Sequence, residues 1–219
     1  MTALHARAAA AGAAAECVRA AAWLLTGMRA VWLDAPQAQG PRVYFANHRS
    51  HIDFVLVWAV LPALERARTR AVAAADYWNK GALRRYFGSE VFRAVLVERD
   101  RDKRVSDPIA DMAAALDEGS SLIIFPEGTR NTTDETLLPL KSGIFHLARL
   151  RPATPFVPVW IDDLARVMPK GELVPVPLLC TVSFGAALSI ASGEDKDAFL
   201  GRARAALLAL SPSQRERAA

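Results

Sequence analysis

The sequence predicts an α/β domain with a largely parallel central sheet flanked by helices. Three observations predict it. Short β-prone runs alternate with segments of helical periodicity along most of the chain. The polar clusters "NHRSHID", "VERDR" and "FPEGTR" each follow a β-like run directly, where strand ends feed loops in such sheets. No internal repeat or long linker divides the 219 residues, so a single core is the expectation.

Taken in order, the N-terminal stretch is Ala-rich and closes in a patch holding Trp23, Leu24, Leu25, Met28, Val31 and Trp32. Glu16, Arg19 and Arg29 interrupt it, so no uncharged run approaches the roughly 20 residues of a membrane span. The same charges spoil a secretory signal. Trp and Arg beside a short apolar face suit a helix lying in a membrane interface, and an ordinary helix packed on the core is the competing reading. Residues 1–34 are thus expected to be a helical membrane-associating segment, 35–211 the main domain and 212–219 a frayed tail.

"PRVYFAN" is a β-prone run ending at a polar corner, and "SHIDFVLVWAVLPAL" reads as one buried helix. "RAVAAAD" predicts a strand, and "YWNKGALRRYFG" a short amphipathic helix stopped by Gly88. "FRAVLVERD" predicts another strand. "SDPIADMAAALDEG" carries a complete helix grammar: Asp107 as cap, Pro108 in the first turn, Ile109, Met112, Ala113 and Leu116 on one face, Gly119 as stop. "SLIIF" is a buried strand, "KSGIFHLARL" a helix, "TPFVPVWID" a strand, "LLCTVSFGAAL" one or two more, and "KDAFLGRARAALLAL" the closing helix.

The totals bound the function class. With 52% apolar residues the chain is not disordered, and a net charge of +4 suits anionic partners without choosing among them. Cys17 and Cys180 are distant and without metal-ligand spacing, which favours a reducing compartment over a disulfide framework. His48, His51 and Asp53 lack the spacing of a metal-binding helix, and no nucleophile elbow of the G-x-S-x-G kind occurs.

His48 and Asp53 are five positions apart, about 140° round a continuous helix, so they meet only if the chain turns into helix between them. Ser50 as cap with Asp53 at the third helical position would provide that turn as a capping box. A carboxylate there fixes one imidazole nitrogen and frees the other as a base. The plainer reading is a capped helix with a polar loop histidine. In "FPEGTRN", Pro126 ends the strand, Gly128 lets the backbone turn tightly, and Arg130 offers a planar fork for phosphate oxygens. Glu127 is placed to orient that arginine or accept from a substrate hydroxyl. Arg99 is a further candidate phosphate contact, and Lys141 precedes a helix start where an anion would be welcome.

These blocks, in this order, resemble the glycerolipid acyltransferases, the family of 1-acylglycerol-3-phosphate acyltransferases. "NHRSHID" matches the H-x4-D signature, and "VLVER", "FPEGTRN", "LLPLKSGIFHLA" and "FVPVWID" are similar to the blocks that follow it, over residues 41–162. The resemblance implies a glycerol-3-phosphate acyltransferase-like α/β fold preceded by helices at the cytoplasmic face of a membrane. It implies acyl transfer from acyl-CoA or acyl carrier protein to a lysophospholipid hydroxyl, with no metal or bound cofactor and no nucleic-acid partner. His48 would be the base and Asp53 its orienting partner. Arg99, Glu127, Gly128, Thr129, Arg130 and Lys141 would hold the substrate. A thioesterase using the same pair on water, and a non-catalytic lipid-binding protein, are the alternatives. Asn131 departs from the serine usual in the family, and "TTDET" is acidic and polar where many members are basic.

Overall fold

The computed structural model describes residues 2–34, 40–98, 100, 102, 106–162 and 180–212. Period-two alternation sorts the strand side chains between two apolar layers. Val43 and Phe45 of β2 (Val43–Ala46) face one layer, and Tyr44 and Ala46 face the other. β6 (Phe156–Asp162) divides likewise, with Phe156 and Trp160 on the first face and Val157, Val159 and Ile161 on the second. With both faces covered, the strands are apolar at nearly every position, as expected of a parallel sheet.

Among the described residues the sheet has seven strands, in the order β1-β7-β6-β2-β5-β3-β4. The remaining strands are β1 (Arg29–Trp32), β3 (Thr69–Ala74), β4 (Val95–Val97), β5 (Ser121–Ile124) and β7 (Thr181–Phe184). Every pairing is parallel except β6 with β7, so the expected largely parallel sheet is present. Helices α6 (Pro108–Asp117), α7 (Gly143–Leu150) and α8 (Lys196–Ala209) cover one face. On the other lie α1 (Thr2–Thr26) and α2 (Asp53–Val60), followed by α3 (Ala63–Arg68). Asp107 caps α6 by accepting from the Ile109 N–H at 3.0 Å, and Gly119 ends it with φ +84°.

Several expectations are corrected. The helix read through "SHIDFVLVWAVLPAL" is two, because Leu61 precedes a proline and takes an extended conformation, ψ 145°. "YWNKGALRRYFG" is broken into α4 (Ala75–Trp78), α5 (Ala82–Tyr86) and a π-helical turn (Phe87–Val91). Gly88 does not stop a helix. It lies buried inside the π turn, where a Cβ would come within 3.0 Å of Trp78. The Trp23–Trp32 patch is not one helix face either, for α1 ends at Thr26 and Trp32 belongs to β1, the sheet's edge strand. Trp32 stacks on Phe184 of β7 at 3.9 Å.

α1 is by length and composition sufficient to cross a membrane. One stripe of it, Ala11, Ala15, Val18 and Ala22, packs on the domain, and Glu16 pairs with Arg66 at 2.8 Å. Trp23, Leu24 and Leu25 at its C-terminal end are exposed.

At the opposite edge of the sheet from the strand ends that carry the polar corner, a buried polar network ties α3 to β2 and β5. The Tyr44 hydroxyl and Ser121 Oγ both donate to Glu65 Oε1, at 3.0 and 2.9 Å, while Arg68 holds the other oxygen. Burial keeps the Tyr44 hydroxyl protonated, raising its pKa well above the ordinary range.

Candidate active site

The parallel neighbours β2 and β5 end side by side, and each feeds a polar loop from its C-terminal end. Residues 47–52 leave β2 and residues 125–131 leave β5, so two distant sequence blocks become one corner. Asn47 anchors that corner to β6: its amide donates to the Ile161 carbonyl at 3.0 Å and accepts from the Ile161 N–H at 2.7 Å.

Asp53 draws the chain back on itself. Its Oδ2 accepts from the backbone N–H of Arg49 at 2.6 Å and of Ser50 at 2.7 Å, and lies 3.0 Å from His48 Nδ1. The predicted meeting of His48 and Asp53 therefore occurs, by one half of the predicted capping box. The other half is corrected: Ile52 occupies the cap position of α2, and Ser50 Oγ accepts only weakly, from Ile52 at 3.4 Å. The carboxylate makes the turn because it can accept three donors where a hydroxyl oxygen accepts fewer.

Since a carboxylate only accepts, Nδ1 carries the proton and Nε2 is left as an acceptor. The ring is stacked on Phe125 at 4.2 Å, and the side chain is 20% exposed while that of Asp53 is 4% exposed. His48 thus has a fixed tautomer, a fixed plane and one reachable nitrogen.

Its backbone is held equally firmly. The His48 N–H donates to Glu127 Oε1 at 2.7 Å, and its carbonyl accepts from the Asn131 N–H, also at 2.7 Å. Glu127 Oε2 accepts from Leu138 N–H at 2.9 Å. This replaces the expectation that Glu127 orients Arg130 or meets a substrate hydroxyl: it is 1% exposed and both oxygens are taken by backbone. Burial raises its pKa, and the two N–H donors, from Leu138 and His48, oppose that rise without cancelling it.

Gly128 turns with φ +71°, and a Cβ there would sit 3.3 Å from Lys141 Cγ. The Lys141 N–H donates to the Pro126 carbonyl at 2.7 Å, so the lysine is brought against the loop while its side chain remains exposed. Thr129 and Arg130 are exposed on the same loop, and Arg130 has no ion pair among the described residues. Arg99 lies outside the described residues.

Arg49 and Phe125 went unread in the sequence, and Asn131 was noted there only as a departure from serine. Arg49 reaches across to the carbonyls of Thr133 and Glu135, at 3.0 and 3.4 Å. Asn131, the departure from serine, is buried and organises the "TTDET" loop, donating to the Glu135 carbonyl at 2.6 Å and accepting from Thr133 N–H at 3.0 Å. Phe125 supplies the platform. An aromatic immediately before Pro126 and an Asn beginning a run of Thr and Asp were the signals available.

Comparison with known proteins bears on the family and the fold. The model of the Acyltransferase family matches residues 27–162. A 1-acyl-sn-glycerol-3-phosphate acyltransferase of Cocos nucifera is 30% identical over 144 residues, 65% of this chain and 44% of that protein. One from Saccharomyces cerevisiae is 31% identical over 144 residues, 61% of this chain and 43% of that protein. The chain thus spans less than half the length of these relatives. The crystal structure of the 1-acyl-sn-glycerophosphate acyltransferase PlsC from Thermotoga maritima shares the fold, with a TM-score of 0.64 over 94% of this chain and 80% of that one, at 17% identity. With more than half of its length matched by the family model, this chain belongs to the Acyltransferase family.

Proposed function

We propose that the protein is an O-acyltransferase that moves a fatty acyl group from a thioester to the free hydroxyl of a lysophospholipid, with 1-acyl-glycerol-3-phosphate as acceptor and phosphatidate as product. The observation that carries the reading is the His48 Nδ1–Asp53 Oδ2 contact of 3.0 Å, with the ring seated on Phe125 and Nε2 unengaged.

In the reaction, Nε2 takes the proton of the acceptor hydroxyl as its oxygen attacks the thioester carbonyl. The tetrahedral intermediate then collapses, the C–S bond breaks, and the proton passes from the imidazolium to the departing sulfur. Asp53 stabilises the imidazolium between the two steps and holds the ring in place. A base positioned in this way contributes roughly 10²–10⁴ in rate. Arg130, exposed on the Gly128 loop, and Lys141, exposed and packed against Gly128, receive the acceptor phosphate, with Thr129 and Arg99 as further contacts. The donor is acyl-CoA or acyl carrier protein, and the protein works at the cytoplasmic face of a membrane, to which the exposed end of α1 attaches it.

Thiol release from an acyl-CoA, with and without 1-acyl-glycerol-3-phosphate, tests this. Release requires the acceptor and falls by at least about 10²-fold in His48→Ala, whose circular dichroism is unchanged. Acceptor-independent release would make the protein a thioesterase, and normal turnover in the variant would remove His48 from the chemistry.

A further inference from the structure

The register of the sheet fixes which features share an edge. β6 ends at Asp162, which pairs with Thr181 at the start of β7, and Thr181 pairs with Arg29 at the start of β1. The end of α1, three residues before Arg29, therefore lies on the edge where β2 delivers His48. β3 runs parallel to β5 and delivers α4 and α5 to the same edge. With strands about 4.8 Å apart, β3 stands roughly 10 Å from β2 on one side and β1 roughly 14 Å on the other.

Both flanks carry exposed apolar side chains. On the α1 flank Trp23, Leu24 and Leu25 are 60–73% exposed. On the other, every residue from Asn79 to Arg85 is exposed, with Leu83 at 71%, and Tyr77 and Ile52 are exposed beside them. This second flank is basic. Lys80, Arg84 and Arg85 form no ion pair among the described residues, and Arg84 instead lies over the Tyr77 ring at 4.5 Å. Tyr77 in turn stacks on His51, three residues from His48, at 5.8 Å.

We propose that α4–α5 is a second membrane contact, taking anionic lipid headgroups on Lys80, Arg84 and Arg85 while Leu83 and Tyr77 enter the interface. Two apolar outcrops on one edge with the His48 corner between them fit a plane. The unpaired cations match the negative surface of a bilayer containing anionic lipid. An apolar residue beside an aromatic and arginines is also the composition that partitions to the headgroup boundary. Resting on the acyltransferase reading, the contact turns the corner toward the bilayer that holds the acceptor.

The test is co-sedimentation of the full chain with phosphatidylcholine vesicles, with and without phosphatidylglycerol. It is paired with turnover on a short-chain lysophosphatidate that stays monomeric in water. Arg84→Glu/Arg85→Glu weakens binding to the anionic vesicles by about tenfold or more, Leu83→Ser weakens binding to both kinds, and neither changes turnover of the monomeric acceptor. Unaltered vesicle binding in both variants overturns the proposal. So does loss of turnover on the monomeric acceptor, which would make the arginines a substrate subsite. Unaltered binding with a raised KM for an acyl carrier protein donor would assign the surface to that carrier. A wild-type protein without transferase activity would defeat the acyltransferase reading, and the vesicle measurement would still decide this one.

Discussion

Two buried carboxylates touch His48, and they hold different parts of it. Asp53 engages the ring, whereas Glu127 engages the backbone N–H, so one sets the tautomer and the other the position. Glu127→Gln keeps the size but turns an N–H₂ toward a backbone N–H, which leaves one buried donor unsatisfied at a cost of about 1–3 kcal/mol. Folding raises the Glu127 pKa above the ordinary 4.5, so in that interval the folded protein holds more protons than the unfolded one. The stability from this group is complete below about pH 4.5 and is lost as pH climbs through the raised value. The stability advantage of the natural protein over Glu127→Gln is accordingly largest at the acid end and shrinks as pH rises. Urea titrations of both proteins across that range check it, and an advantage that grows with pH would contradict it.

Among the elements, the loop after β5 is the one whose conformation the corner depends on most. It is tied to the β2 loop at three points: through Glu127, through the Asn131 N–H, and through the Arg49 guanidinium on Thr133 and Glu135. Arg49→Ala removes the last tie and spares the backbone bond from residue 49 to Asp53. Because the tie is exposed, unfolding stability changes by no more than about 1 kcal/mol. Turnover falls about tenfold, since a shift of about 1 Å at His48, the proposed base, is expensive. Proteolytic cleavage within residues 131–136 quickens alongside. Wild-type kcat/KM in the variant would mean that the other two ties suffice. This latch was not legible in the sequence. Arg49 and Thr133 are 84 positions apart, and nothing in either block marks the other as its partner. The capping turn at Asp53 was legible because its donors lie within five residues of it.

On the scale of the molecule, β7 is the hinge between two halves of the sheet. It runs antiparallel to β6 and parallel to β1, so it joins the N-terminal strand to the strands that carry the corner. Phe184 fills that junction, fully buried, stacked on Trp32 at 3.9 Å and edge-on to Tyr44 at 5.9 Å. Phe184→Ala is expected to cost about 3–5 kcal/mol in urea-induced unfolding. A loss below about 1 kcal/mol would show that Trp32 and its neighbours collapse into the space.

By itself the sequence determined the alternation of strands and helices, the helix grammar of α6 and the His48–Asp53 turn, all of which rest on interactions within a few residues. It also determined the family, because blocks kept in order are read along the chain. Tertiary structure alone decided what those blocks do to one another. β1 escaped notice because its partner, β7, lies about 150 residues away and its own four residues carry no pattern beyond an apolar patch. Glu127 read as a partner of Arg130 or of a substrate hydroxyl until burial and two remote N–H groups made it a strut under His48. Pairing across a sheet is non-local, so the chain encodes it only through the packing that brings distant residues together.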